Sequence, residues 1–145
     1  MSIHVLPGQP DGRCQDFFAV HWPPENQHLF GWSDQARWRK EYLTLWFEEE
    51  GQIRGAALMW KMGGVGYLSQ LLVDPVLRGR GLGRQLMDAF EQQCADCHKL
   101  ALKTYKDSRS QRVYEALGFK VEAVLEMDVH GIDWVYMAKG WDGAK

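Results

Sequence analysis

The sequence holds few of the features that announce a specialised architecture. Three cysteines in 145 residues are too few for the disulfide framework that staples small secreted domains. No apolar run approaches the ~20 residues of a membrane helix, so no membrane partner is expected. The opening stretch, MSIHVLPGQPDGR, lacks the basic and then apolar segments of a secretory leader. These absences point to a reducing, cytoplasmic setting. Repeats, linkers and low-complexity tracts are also missing, so residues 1–145 read as a single domain. Hydrophobic residues are 46% and charged residues 25% of the chain. That is ordinary globular composition in a chain long enough to build a core.

A broad excess of positive charge is missing too. Seventeen basic and 19 acidic residues leave a net charge of −2. No nucleic-acid partner is expected from that balance. The charge is uneven, however. Residues 76–120 carry 9 basic and 5 acidic side chains, against 8 and 14 in the remainder. A basic centre of this kind suits a compact anionic ligand.

Cys94-Ala95-Asp96-Cys97-His98 spells a haem-attachment pattern and offers soft ligands to zinc. Both thiols fall on the apolar stripe of a predicted helix, where cysteine acts as a small hydrophobe. No metal is expected.

Hydrophobic periodicity outlines a mixed α/β fold. Short helices are expected around 12–20 and 34–41, the second capped by Asp34. Strands follow at Tyr42–Glu48, Ile53–Lys61 and Val65–Val73, the first two forming a hairpin. Asp74-Pro75 ends the third, since proline cannot extend a central strand. Residues 82–97 switch to helical spacing, and Lys99–Thr104 is a short strand. Asp107 or Ser108 caps a helix reaching Leu117. Alternation from Val121 to Val129 predicts a half-buried strand, and 133–139 returns beside it. The order β-β-β-α-β-α-β-β gives a sheet with helices on its faces.

The chemistry concentrates in Val73-Asp74-Pro75-Val76-Leu77-Arg78-Gly79-Arg80-Gly81-Leu82-Gly83-Arg84. Three glycines join a strand to a helix, which brings unpaired N–H groups and the positive end of the helix dipole to one place. That is a cradle for a diphosphate. The spacing excludes a Rossmann fingerprint, which needs G-x-G-x-x-G, and a Walker loop, which ends in G-K-[ST].

Arg78-x-x-Gly81-x-Gly83 resembles the acyl-CoA signature of the GNAT acetyltransferase superfamily, [QR]-x-x-G-x-[GA]. Val73-x-Pro75 before it is similar to the family's usual lead-in. Some 30 residues later, Tyr114-Glu115-Ala116-Leu117-Gly118-Phe119 resembles the family's Y-E-x-x-G-F. The resemblance covers roughly residues 41–140. It implies a mostly antiparallel central sheet flanked by helices and splayed at the CoA site. It implies acetyl-CoA as co-substrate and direct transfer to an amine, either a small molecule or a protein amino group. The N–H groups of Gly79, Arg80, Gly81, Leu82, Gly83 and Arg84, with Arg78, would hold the pyrophosphate. Main chain at Leu71, Leu72 and Val73 would pair with the pantetheine arm. Tyr114 is the implied general acid for the CoA thiolate.

The sequence departs from the family where Asn and Ala are common, having Asp107 and Ser110 there. A cofactor contact from Asp107 is therefore in question. No base stands out: Tyr67 lies near the position of a glutamate in some relatives, with Glu41, Glu48 and His28 in reserve. Phe17, Phe18, Trp22, Phe30 and Trp32 precede the sheet, where the family builds its acceptor site. Many relatives form homodimers, and no seam is legible here. A CoA-sensing module without turnover is the alternative that the same motifs allow.

Overall fold

The structure is a computed structural model and describes residues 1–143. It divides into two units, residues 1–39 and the chain from Lys40 onward.

The first unit holds α1, Gly12–Phe30, and a 3-10 turn, Gln35–Trp38. Asp11 caps α1, its carboxylate accepting from the Arg13 N–H at 2.7 Å. Gly31 ends it in the left-handed conformation, φ 76°. The helix therefore runs well past residue 20, through Pro23 and Pro24. The carbonyls of Ala19 and Val20 lose their i+4 donors there, a loss this helix tolerates. The expected second helix is only the 3-10 turn, capped as predicted by Asp34 through the Ala36 N–H at 2.9 Å.

The second unit is a six-stranded sheet in the order β1-β2-β3-β4-β6-β5. Its strands are β1 Glu41–Glu49, β2 Gln52–Met62, β3 Val65–Val73, β4 Lys99–Tyr105, β5 Lys120–Leu125 and β6 Trp134–Gly140. Only β3 and β4 run parallel; every other pair is antiparallel. Helix α2, Leu82–Gln93, lies against β1, β2 and β3, and α3, Arg109–Ala116, against β4. This is the mixed sheet with helices on its faces that periodicity predicts, and the mostly antiparallel pairing that the family resemblance implies.

Two elements of this second unit differ from expectation. Helix α2 stops at Gln93, with Cys94 as its cap, so Cys97 lies beyond it. Strand β5 stops at Leu125 and is mostly exposed, although alternation predicts a half-buried strand to Val129. Its register with β6 shifts between Val121 and Ala123. The extra residue breaks the period of two that would turn one face inward. Positive φ values at Met127 (49°) and His130 (60°) then keep the chain from continuing as strand.

The main core packs Met87 and Phe90 of α2 on Ala57, Met59 and Leu68, and continues to Leu100, Leu102, Phe119, Val135 and Met137. Each large side chain so buried contributes about 1.5–3 kcal/mol. Cys94 and Cys97 belong to this core. Burial, then the neighbouring Cys97, pushes the Cys94 thiol up to about 12. Both cysteines thus serve as small apolar side chains. A smaller cluster joins Val73, Leu77 and Leu86 with Leu45, Phe47, Leu71 and Leu82. It ties the end of β3, the following turn and the first turns of α2 into one block.

Candidate active site

The site begins where β3 and β4 part. They pair at four positions only, from Val65 opposite Lys99 to Leu68 opposite Leu102. On the other edge of β3, Leu58 opposes Gln70 while Met59 opposes Leu68, which leaves Ser69 as an extra residue. A bulge bends its strand and increases the local twist. From Ser69 to Val73 the edge of β3 that would meet β4 has no partner strand. The splay is real, and it starts at the bulge.

A cleft of about 480 Å³ occupies the gap. Leu71, Val73, Leu77 and the glycine loop form one wall. Arg109, Ser110, Val113 and Tyr114, from one face of α3, form the other.

The loop follows directly from its sequence. Asp74 ends β3 and caps a 3-10 turn, Pro75–Leu77, by accepting from the Val76 N–H at 3.0 Å. Proline at the first position of such a turn loses nothing, because that N–H has no partner within the turn. Gly79 (φ 81°) and Gly81 (φ 78°) then take left-handed backbone. A Cβ at either would meet nothing within 4 Å, so these glycines serve conformation and not space. Gly81 is the N-cap of α2 and offers no side-chain cap. The consequence is a row of free donors. Among the described residues, the N–H groups of Gly79, Arg80, Gly81, Leu82, Gly83 and Arg84 donate to no group of the chain; the first bonded one is Gln85, to the Gly81 carbonyl. Six consecutive N–H groups at a helix N-terminus form a site for anionic oxygens.

The other predicted residues divide. Arg78, Gly79, Gly81, Leu82, Gly83, Leu71, Val73 and Tyr114 line the cleft together. Arg80, Arg84, Leu72 and Asp107 are not among its lining residues. The Arg84 guanidinium pairs through Nε with Asp88 at 3.0 Å and is exposed, while its backbone N–H belongs to the free row. The Leu72 side chain points away and is exposed, because successive residues of a strand face opposite sides. Asp107 takes a left-handed φ of 58° and donates its N–H to Gln111 Oε1 at 2.6 Å. The cap of α3 is Ser108, whose Oγ accepts from the Gln111 N–H at 3.1 Å.

Tyr114 sits between cleft and core, its ring edge-on to Phe119 with centroids 6.0 Å apart. Burial raises its phenol above the ordinary value, so it holds its proton at neutral pH. None of the base candidates lines the cleft. Tyr67 stacks on Trp60 at 4.9 Å. Glu41 pairs with Lys61 at 3.6 Å, and Glu48 accepts from Trp46 Nε1 at 3.1 Å. Among the described residues no carboxylate lines the cleft, while Arg78 and Arg109 do.

Sequence reasoning missed Arg109 and Val113. A signal existed: Arg109 and Val113 are four apart, as are Ser110 and Tyr114, so they share the face that Tyr114 marks.

The profile of the acetyltransferase (GNAT) domain matches residues 28–140. The chain belongs to this family, and so to the acyltransferase enzymes. No curated protein matches the sequence significantly. Many solved structures share its fold. A protein from Agrobacterium tumefaciens, taken to be an acetyltransferase, is 21% identical; the match covers 97% of this chain and 100% of that one at a TM-score of 0.71. The ribosomal-protein-S18-alanine N-acetyltransferase of Escherichia coli is 22% identical, with 90% and 91% coverage and a TM-score of 0.64. A Bacillus anthracis protein taken to be a streptothricin acetyltransferase, solved in complex with acetyl coenzyme A, is 18% identical, with 71% and 64% coverage and a TM-score of 0.63. Among the described residues, no helix is long and apolar enough to cross a membrane.

Proposed function

We propose that this protein transfers an acetyl group from acetyl-CoA directly to an amine, and that residues 1–145 act as one cytoplasmic domain in doing so. The observation that carries this reading is the row of six free N–H groups on the glycine loop, beside an edge of β3 that has lost its strand partner. The loop fits a diphosphate. The bare edge at Leu71, Leu72 and Val73 fits an extended amide-bearing arm, which can add to it as a strand would. The Bacillus anthracis relative's ligand is consistent with both.

Acetyl-CoA supplies the activated acetyl thioester; the chain's residues do the rest. Arg78 and the N–H groups from Gly79 to Arg84 hold the diphosphate by charge-assisted hydrogen bonds. Arg109 adds positive charge across the cleft. Tyr114 holds a proton in the cleft and can give it to the departing sulfur. With no carboxylate in the lining, the acceptor amine arrives neutral or loses its proton to water. The acceptor is a small amine or a protein amino group; the Escherichia coli relative, named for an alanine of a ribosomal protein, makes the second kind concrete.

Release of free CoA thiol, followed with a panel of small amines and N-terminal peptides, tests this reading. Amine-dependent release supports it. Tight acetyl-CoA binding without release for any acceptor would leave a CoA-sensing module instead.

A further inference from the structure

The first unit holds a pocket of its own, of about 350 Å³. Helix α1 supplies Trp22, Asn26, Leu29 and Phe30, whose spacing places them on one face. The 3-10 turn supplies Gln35 and Trp38, three apart and therefore eclipsed. No lining side chain is charged. The aromatic wall is already assembled: the Trp38 ring lies 5.9 Å from Phe30 and 5.7 Å from Trp32, centroid to centroid. The neighbouring Trp32 face, which would attract a cation, already carries the Arg37 guanidinium at 4.6 Å.

Asn26 is the telling residue. It is 5% exposed, one of two buried polar residues among those described. Its amide makes no hydrogen bond with any of the described residues. Its amide nitrogen and oxygen keep access to the pocket, whose other walls are mostly rings and aliphatic carbon. Polar atoms in an otherwise apolar wall fix the orientation of a ligand that can hydrogen-bond with them. A cavity of about 150 Å³ is enough to admit benzene, so this pocket has room for a fused pair of rings.

We propose that the pocket binds a small, uncharged aromatic molecule of up to two fused rings, which forms one hydrogen bond with the Asn26 amide. The apolar wall supplies affinity, and the amide selects ligands that carry a polar edge. The site draws on residues of the first unit alone, so it stands or falls independently of acetyl transfer.

The test uses the full chain and two probes of the same shape. Indole carries an N–H that the Asn26 carbonyl can accept; indene lacks it. In ligand titrations followed by calorimetry or NMR, the wild type should prefer indole by about fivefold, as one neutral hydrogen bond provides. Asn26→Leu should bring the two probes to equal affinity while indene binding persists. Trp38→Ala should weaken both. Nuclear Overhauser contacts between indole and the Asn26 side-chain amide, in nitrogen-labelled wild type, check the site without any variant. Failure of the folded wild type to bind indole at millimolar concentration would overturn the proposal, and so would the absence of those contacts. An indole preference unchanged in folded Asn26→Leu would overturn it as well.

Discussion

Leu68 and Leu71 lie three residues apart on one strand, in unlike surroundings. Leu68 faces Leu102 across a closed ladder and is 4% exposed. Leu71 lines the cleft. Both halves of β3 keep their pairing with β2, as far as Val73 opposite Gly55. What separates them is the extra residue at Ser69 and the loss of β4 beyond Leu68. The first half is sealed as tightly as a core allows: a Cβ on Gly66 would run into the Cys94 sulfur and stand 3.2 Å from Leu100. The second half leads into a loop where glycine costs no packing and leaves six donors bare. A single strand thus serves stability at one end and binding at the other. The division falls where the hydrogen-bonded ladder stops.

That contrast can be broken from the open side first. Gly81→Glu forces a side chain onto left-handed backbone and sets a carboxylate against the diphosphate. Repulsion of ~4 kcal/mol, for charges about 4 Å apart at a partly shielded site, corresponds to about a thousandfold loss of acetyl-CoA affinity. Calorimetry on the folded variant measures it. Tyr114→Phe should leave acetyl-CoA affinity nearly unchanged and lower kcat by about a hundredfold, the low end for a general acid. Equal kcat in variant and wild type would remove the proton-donor role.

The sealed half should answer differently. Gly66→Ala should cost about 1–3 kcal/mol of stability, as overpacking does, with acetyl-CoA affinity retained in the folded fraction. Denaturant unfolding and calorimetry together separate the two effects. The pH profile sharpens the contrast further. The phenol of Tyr114 is the proton-bearing form, and burial raises it above its ordinary ~10. Turnover should therefore rise as the acceptor amine loses its proton and fall only as pH climbs beyond ~10. In Tyr114→Phe that alkaline fall should vanish. The smallest effect belongs to Leu72→Ala: its exposed side chain should change stability by less than ~0.5 kcal/mol, because only its main chain takes part.

Much of this arrangement was legible in the residues themselves. Strand β3 ends where Asp74-Pro75 requires it, and the loop conformation follows from glycines whose φ no other residue adopts cheaply. These are local, backbone-driven features, and local features survive in a linear sequence. The errors lie where tertiary context overrides the local signal. Helix α1 continues through Pro23 and Pro24, although propensity argues for a stop. Strand β5 loses its alternation to one bulged residue, and the bulge at Ser69 carries no mark in the sequence. The unpaired amide of Asn26 is invisible until the 3-10 turn is placed beside α1.

The central claim is that the loop from Gly79 to Arg84 and the bare edge of β3 form one binding site for acetyl-CoA. Calorimetric titration of the full chain with acetyl-CoA, with ATP as the comparison, tests it most directly. The account predicts saturable binding of acetyl-CoA and at least tenfold weaker binding of ATP, which has phosphates for the loop and no arm for the strand edge. Equal affinity for the two would mean that the edge contributes nothing. No binding of acetyl-CoA by a folded sample free of copurified CoA would contradict the account altogether.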